Sequence, residues 1–292
     1  MAVRPPSVRP WMIGCIAAAT AGAVLLAQAP AGAQAPAAGQ APPAGAAAKS
    51  TRTGRQNGPR PPSDPTPRWP DGHPMLSAAP GKTGFWNSGI GGLTGKGGVN
   101  LPTNLDIGEV PFQPWAKALY EARRADQQKN DPHARCMPPG GPRQFHTPYG
   151  LQIYELPEAK RVLVLSGGGP RTWRVIYLDG RAHPSSDDFI PTFLGHSVGR
   201  WEGDTLVIDS VGFNEEFWFA RAGYPHTESL HLTERISRPD YNTLKYEATI
   251  DDPKAYTKPW TGGHYIYWVP NEDFEEYFCQ DNNRDPSHLV GQ

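Results

Sequence analysis

The stretch of sequence that decides the fold is GHSVGRWEGDTLVIDSV, residues 195–211. Two short alternating runs, Gly195–Trp201 and Thr205–Val211, flank the turn-forming residues Glu202-Gly203-Asp204. Alternation with a period of two is typical of strands, because successive side chains point to opposite faces of a sheet. A short loop containing glycine between two such runs predicts an antiparallel hairpin.

Short runs separated by turn residues fill most of the chain after Cys136 and predict about nine strands. The predicted strands are Leu151–Leu156, Arg161–Leu165, Arg171–Leu178, Gly195–Trp201, Thr205–Val211, Ser229–Ser237, Thr243–Ile250, His264–Val269 and Asp273–Cys279. They follow one another as hairpins without intervening helices, which excludes βαβ units. We therefore predict a mainly β fold, an antiparallel meander that closes into a barrel or a strongly curved, lipocalin-like sheet. A two-sheet sandwich is the alternative.

One segment before the strands has the pattern of an α-helix. Residues 114–124 read PWAKALYEARR, and proline is favoured at the first position of a helix. Trp115, Leu119 and Ala122 would share one face. The predicted fold is thus mainly β with one N-terminal helix.

The first residues have the layout of a secretory signal peptide. Arg4 and Arg9 precede an apolar stretch, residues 11–29, which small residues follow. A basic start, an apolar centre and a cleavage site with small residues are the three parts of such a peptide. Cleavage after Ala31-Gly32-Ala33 would remove residues 1–33, and we predict a periplasmic or secreted location.

The rest of the chain divides into three regions by composition. Residues 34–80 are rich in Ala, Pro and Gly without apolar periodicity, which predicts a disordered tether. Residues 81–130 hold an irregular, glycine-rich arm and the predicted helix, and residues 131–285 hold the predicted antiparallel β domain. Hydrophobic residues at 38% and aromatic residues at 10% supply enough apolar surface for a core, so a collagen-like or wholly disordered protein is excluded.

Charge is divided unevenly along the chain. Residues 1–60 contain six basic residues and no acidic one, whereas the rest carries 22 basic and 29 acidic residues, a net charge of −7. An acidic body argues against nucleic acid as a partner, because phosphate binding needs clustered Lys and Arg. After the signal peptide no apolar stretch is long enough for a membrane span. The partner that we expect is therefore a small-molecule ligand or substrate.

Removal of the signal peptide would leave two cysteines, Cys136 and Cys279. In an oxidising compartment such a pair usually forms a disulfide. Neither cysteine belongs to a C-x-x-C motif, so the chain has no redox or zinc motif of that kind.

Four histidines lie near the predicted ends of strands, where a rigid sheet can present groups for binding or catalysis: His146, His183, His196 and His226. Histidine can act as a general acid or base near neutral pH, and a neighbouring carboxylate can orient it. We predict His183, His226 and Glu228 as catalytic groups. The alternative is that the histidines are separate surface residues.

Cationic and aromatic side chains near the same loops are candidate ligand contacts. We predict Arg181 and Arg235 as clamps for an anion and His196 as a further ligand contact. Trp218 and Trp260 lie in predicted loops, where aromatic rings near a barrel mouth would suit an apolar or sugar-like ligand. The alternative is that both tryptophans pack the ends of the barrel.

Two motif matches are weak. His226-x-Glu228 with His183 could hold a metal ion, but this spacing often arises by chance, so a metal site is not favoured and the cofactor stays unknown. Residues 195–199 fit G-x-S-x-G, which presents a nucleophile only at a strand-to-helix turn. A second strand follows here, so Ser197 is expected within the hairpin.

The predicted strand Ser229–Ser237 has two different faces. One carries apolar residues and Glu234, and the other carries His231 and Arg235, which Glu247 of the partner strand would join. Three arrangements stay open: a solvated polar face, a polar row that lines a barrel lumen, and a polar row outside the barrel with Glu234 buried.

Several longer motifs lie within residues 110–285. They are DPxxRCxPxG from Asp131, DGRxHP from Asp179, GHSVGRWEGDTLV from Gly195, PHxE from Pro225 and DPxxYTxPW from Asp252. In these motifs the chain resembles an uncharacterised family of exported bacterial proteins. The resemblance implies export and favours pairing of Cys136 with Cys279, and it implies no particular activity.

These observations predict an exported protein that acts on a small molecule. The leading hypothesis is a hydrolase, lyase or isomerase that uses His/carboxylate acid–base chemistry at the mouth of the barrel. The alternatives are a non-catalytic binding protein for an apolar or sugar-like ligand and a structural envelope module. The residues alone do not decide whether the protein is an enzyme.

Overall fold

A computed structural model describes residues 64–89, 91–147, 149–185, 188–273 and 278–279. Nine strands of this part of the chain form a closed barrel in chain order, which confirms the predicted mainly β barrel. The strands are β1 (Gly84–Asn87), β2 (Leu151–Leu156), β3 (Arg161–Ser166), β4 (Trp173–Tyr177), β5 (His196–Glu202), β6 (Thr205–Val211), β7 (His231–Asp240), β8 (Thr243–Asp251) and β9 (Trp260–Pro270). The predicted signal peptide, residues 1–33, lies outside the described residues.

One strand pair departs from the predicted antiparallel meander. β4 and β5 run parallel, with Ile176 beside Ser197 and Tyr177 beside Val198, whereas the other neighbouring strands of the barrel are antiparallel. Parallel neighbours need a crossover connection rather than a tight hairpin. Residues 178–195 form this crossover, and it brings His183 to the neighbouring strands.

The strand that completes the barrel is not the one that the sequence predicts. β1, which lies in the predicted irregular arm, takes the place of the predicted strand Asp273–Cys279. Residues 274–277 are outside the described part of the chain, and the two end residues of that predicted strand are not in a strand. β1 is too short to show alternation, and it begins at Gly84, where a Cβ would lie 2.3 Å from the Trp268 ring.

The predicted helix is confirmed as α1 (Pro114–Ala125). The three residues of the predicted common face are exposed: Trp115, Leu119 and Ala122. Ala116 is fully buried instead, and the Tyr120 ring one turn later stacks on Phe112 at a centroid distance of 5.2 Å. The helix therefore packs through a small and an aromatic residue against loops. The described part of the chain also contains the short 3-10 helices Ile107–Glu109, Pro132–Arg135 and Gly141–His146.

The N-terminal part of the described chain closes one end of the barrel. Met75 and Leu76 are buried, and the Leu76 N–H donates to the Glu155 carboxylate at 2.7 Å. Arg238 donates to the Met75 carbonyl at 2.5 Å. The prediction of a tether is therefore wrong over residues 64–80, where buried apolar side chains hold the proline-rich chain against the barrel.

The 3-10 helix Gly141–His146 packs into the opposite end. Its Phe145 ring stacks on Tyr246 of β8 at a centroid distance of 4.4 Å, and its Gln144 side chain donates to the Val164 carbonyl at 3.0 Å. Side chains from both ends thus fill the interior, in contrast to the open cavity of a lipocalin.

A buried ion pair lies within that interior. Arg174 of β4 donates to the carboxylate of Glu234 on β7, and both side chains are almost fully buried. The Tyr246 hydroxyl donates to the same carboxylate at 2.8 Å. Of the three arrangements open for β7, the structure therefore has Glu234 inside, with His231 and Arg235 on the outer surface.

The predicted disulfide is confirmed. Cys136 and Cys279 are bonded, with their Cα atoms 5.6 Å apart and a sequence separation of 143. The bond joins the segment before β2 to the chain after β9. Among the residues described, no helix combines the length and the apolar character that crossing a membrane would need.

Candidate functional site

The candidate site lies on the outer surface of the barrel, across β5, β6 and β7. Strand register places His196 opposite Val211 and Val198 opposite Asp209, and Asp209 is in turn opposite Thr233. Alternation makes these side chains point outward, because residues 197, 210 and 232 between them are buried in the interior. Asp209 is therefore the acidic residue at the centre of an outward-facing patch.

Three histidines surround this carboxylate and form what we call the outer-wall cluster: His183, His196, Asp209 and His231. His183 Nε2 lies 2.8 Å from Asp209 Oδ1, and His231 Nε2 lies 2.8 Å from Asp209 Oδ2. His183 Nδ1 lies 2.8 Å from His196 Nδ1. The four side chains thus form one continuous hydrogen-bonded chain.

The pattern of partners assigns the protons. An ionised Asp209 can only accept, so the Nε2 atoms of His183 and His231 donate to it. If the His183 ring carries only this proton, its Nδ1 has a lone pair, which accepts the hydrogen bond that His196 donates from its own Nδ1. His196 Nε2 is left with a lone pair and is the basic atom at the end of the chain.

The electrostatics of the cluster agree with this assignment. Partial burial opposes ionisation of Asp209, but the hydrogen bonds from His231 and His183 outweigh it and lower the pKa of the carboxyl. The pKa of His196 is lowered by its burial and then by the neighbouring His183 and Arg181. At neutral pH Asp209 is therefore charged and His196 is neutral.

The cluster is accessible to solvent. The side chains of His183, Asp209 and His231 are 21%, 29% and 44% exposed. Groups at this depth can exchange protons with a bound molecule or with water, while their hydrogen bonds still fix their orientation.

An aromatic ring and an arginine border the cluster. The Tyr177 ring of β4 stacks on His196 at a centroid distance of 5.3 Å and an interplanar angle of 23°. The Arg181 guanidinium lies 3.8 Å from the centroid of the Tyr177 ring and is ion-paired with Asp179 at 2.5 Å. The predicted ligand contacts Arg181 and His196 are therefore neighbours around one tyrosine.

The structure separates the other predicted catalytic residues from His183. His226 is buried beside Phe217, with ring centroids 4.1 Å apart, and its Nε2 donates to the Phe217 carbonyl at 2.9 Å. Its burial lowers the pKa of the ring. Glu228 is exposed, and its backbone N–H donates to Glu215 at 3.2 Å. The two lie in the loop before β7, where His226 contacts aromatic residues rather than the outer-wall cluster.

The remaining predicted ligand contacts also lie apart from the cluster. Trp218 is buried beneath the Arg123 guanidinium, 4.4 Å from its ring centroid. Trp260 is buried in an aromatic group with Tyr256, at a centroid distance of 5.6 Å. Trp260 is the first residue of β9 rather than a loop residue, and both tryptophans are buried by packing, which is closer to the alternative interpretation. Arg235 lies on the outer surface and pairs with Glu202 at 3.0 Å.

The two weak motif matches, G-x-S-x-G and the metal spacing, have different outcomes in the structure. Ser197 faces the interior, where its hydroxyl accepts from Arg174 Nε at 2.9 Å and from the Ser210 hydroxyl at 3.0 Å. It lies in the hairpin of β5 and β6, as expected. Within the described ranges no group of three or more His, Cys, Asp or Glu side chains has the arrangement of a metal site.

Sequence reasoning found two cluster members as site candidates, His183 and His196, and did not identify Asp209 or Tyr177. Alternation in residues 205–211 could have placed Asp209 on the polar face of that run, because Leu206 and Ile208 form the opposite, apolar face. His231 was on the predicted polar face of its strand.

The chain matches no protein-family model, no curated protein and no solved structure. Function is therefore inferred from the geometry of the site.

Proposed function

We propose that the protein is an exported enzyme that acts on a small molecule by acid–base chemistry at the outer-wall cluster. The observation that carries this proposal is the unbroken hydrogen-bonded chain from Asp209 through His183 to His196. A carboxylate that orients a histidine, which orients a second histidine with a basic nitrogen, is suited to take a proton from a substrate.

The proton transfer follows from the assigned protons. His196 Nε2 removes a proton from the substrate or from a water molecule, and the ring becomes positively charged. Its Nδ1–H can then shift toward His183 Nδ1 as the His183 Nε2–H shifts toward Asp209, so that the carboxylate stabilises the new charge. Hydrolysis, elimination and isomerisation all begin with such a step.

The lowered pKa of His196 supports a role as a base. A base must be unprotonated before it reacts, and a histidine whose pKa lies below its usual value is neutral at pH 7. Its half-buried ring also excludes part of the water that would compete for the proton.

Three features support export as part of the proposal. The Cys136–Cys279 disulfide is of a kind that persists in oxidising compartments. The N-terminal layout predicted for a signal peptide and the resemblance to exported proteins agree with it.

The test compares cluster variants with a matched histidine elsewhere. Purified protein is assayed against a panel of chromogenic esters for hydrolysis and against a panel of carboxylic acids for α-proton exchange in deuterated water. His196→Gln and His183→Gln should lower kcat about 10²- to 10⁴-fold. The control is His73→Gln, since His73 also lies beside a carboxylate, Asp71, at 2.5 Å. Full activity of the His196 variant, or no turnover with either panel, would contradict the proposal.

One observation favours a structural role as the second candidate. His183 belongs to the crossover and Asp209 to β6, so their hydrogen bond also holds the crossover on the barrel. A purely structural role predicts that Asp209→Asn increases hydrogen–deuterium exchange in the crossover, while His196→Gln changes neither exchange nor turnover.

A further inference from the structure

A strip of apolar side chains lies on the outer surface of β2, β3 and β4, next to the outer-wall cluster. Register places Tyr154 opposite Leu163, Leu163 opposite Val175, and Leu165 opposite Trp173. We call these five residues the apolar strip. Trp173 is 67% exposed and Tyr154 is 45% exposed, so large apolar area faces solvent at this site. Contiguous exposed apolar surface often marks a binding site.

The strip continues directly into the proposed site. Tyr177 follows Trp173 and Val175 on the same face of β4, and its ring stacks on His196. At a rise of about 3.3 Å per residue, the distance along β4 from Trp173 to Tyr177 is about 13 Å. A molecule of that length lying on the strip would reach the histidine of the proposed base.

The end of the strip at the cluster is cationic. The Arg161 guanidinium lies 5.3 Å from the Tyr177 ring centroid, and Arg181 lies 3.8 Å from the same ring. Arg181 is neutralised by Asp179. Arg161, by contrast, has no carboxylate within ion-pair distance in the part of the chain that the structure describes. One positive charge is therefore available beside Tyr177.

From this arrangement we propose that the substrate class is an anionic amphiphile, a molecule with an apolar body about 13 Å long and an anionic head. The body lies on Trp173, Val175 and Leu165, and the anion lies beside Arg161, within reach of His196. This inference rests on the proposed function, because it assigns the substrate of the same site. Charge complementarity at one end of the apolar surface distinguishes this ligand from a neutral or cationic one.

The test uses decanoate as the probe, below its critical micelle concentration, with titration calorimetry on the full chain without its signal peptide. Decanoate should bind at least tenfold more tightly than decyltrimethylammonium, which has the same apolar body and the opposite charge. Arg161→Gln should weaken decanoate binding about tenfold and leave decanol binding unchanged. Trp173→Ser should weaken the binding of both.

The matched control is Trp115→Ser, which removes another exposed tryptophan, on α1. Trp115→Ser should change neither the affinity for decanoate nor the affinity for decanol. Because Arg161, Trp173 and Trp115 are all exposed, these variants are expected to fold, and circular dichroism checks this. Equal binding of the two charged probes, or decanoate binding that survives both strip variants, would overturn the inference.

Two further results would also overturn the inference, because each would show a different occupant of the apolar strip. One is a membrane: the protein would then sediment with phosphatidylglycerol vesicles through Trp173 without binding free decanoate. The other is a second copy of the chain, for which a dimer would dissociate on Trp173→Ser. Failure here is distinct from failure of the proposed function, because His196→Gln should lower turnover about 10²- to 10⁴-fold and still bind decanoate.

Discussion

A comparison of two polar clusters of the barrel, each built around one carboxylate, shows a difference in depth. Inside, Glu234 accepts from Arg174 and Tyr246 in a packed interior, and its side chain is fully buried. Outside, Asp209 accepts from His183 and His231 with 29% of its side chain exposed. The carboxylates lie on adjacent strands and point to opposite faces, since Ile208 pairs with Glu234 and Asp209 with Thr233.

The difference shows which cluster can do chemistry. A buried ion pair satisfies its own charges and has no path for a substrate, so its effect is on stability and on the packing of the core. The outer-wall cluster is partly open to solvent, and its histidines can take up or release a proton from either ring nitrogen. We therefore assign the interior pair to the fold and the outer cluster to function.

The largest predicted effect is on the interior pair. Glu234→Gln leaves the Arg174 charge uncompensated inside the barrel and should lower the free energy of unfolding by about 3–5 kcal/mol. Urea denaturation followed by tryptophan fluorescence measures this. The double variant Arg174→Met with Glu234→Leu should recover much of the loss, because it removes both buried charges. If Glu234→Gln is as stable as the wild type, the interior pair does not differ from the outer-wall cluster in its effect on stability.

The next effect comes from a buried histidine. Burial lowers the pKa of His264 to about 4, so the folded protein does not protonate it while the unfolded chain does below its ordinary value near 6.5. Stability is then present above pH 6.5 and is lost as the pH falls toward 4. His264 alone should contribute a loss of about 2 kcal/mol by pH 5. Burial shifts His146 and His226 in the same direction.

Urea unfolding at pH 7 and at pH 5 measures this loss. In His264→Gln the difference between the two pH values should shrink but not vanish, because two other buried histidines remain. A free energy of unfolding that is equal at both pH values in the wild type would contradict the assignment of neutral, buried histidines.

Particular residues show which parts of the fold and of the site could be predicted from the sequence. The strands of residues 195–211 and 231–251 follow from alternation and turn residues, and Glu234 stands on an apolar face in the sequence itself. The parallel pairing of β4 and β5 does not follow, because crossover residues 178–195 carry no regular pattern. That crossover brings His183 to Asp209. The sequence therefore could not show that these two residues belong to one site, because a tertiary contact joins them.

The same limit explains the residues that lie elsewhere. His226 in its loop and Trp260 at the start of β9 have the chemistry of binding residues, but aromatic neighbours bury both. The types of residue and their spacing in the sequence predict which side chains have the chemistry for binding or catalysis. Burial by distant segments of the chain decides which of them can contact a ligand.

A smaller effect on stability is expected in the outer-wall cluster. Asp209→Asn keeps the shape of the side chain but removes its charge, and it should cost about 1 kcal/mol, because solvent screens a partly exposed carboxylate. Turnover should fall far more than stability. If urea denaturation instead shows a loss as large as that of Glu234→Gln, the cluster is primarily structural.

The smallest effect is expected for an exposed pair on the same outer surface. Arg235 and Glu202 are ion-paired at 3.0 Å but are well exposed. Arg235→Gln should leave both the urea midpoint and turnover unchanged within error. A marked loss of turnover would extend the site along β7 and restore the predicted role of Arg235 as an anion clamp.

The central claim is the proton arrangement of the outer-wall cluster, and long-range ¹H–¹⁵N NMR of protein with ¹⁵N-labelled histidine tests it most directly. At pH 7 the account predicts that His196 is neutral with its proton on Nδ1, and that His183 carries its proton on Nε2. In Asp209→Asn the His183 signals should change. A His196 ring protonated on Nε2, or on both nitrogens, at pH 7 would contradict the claim.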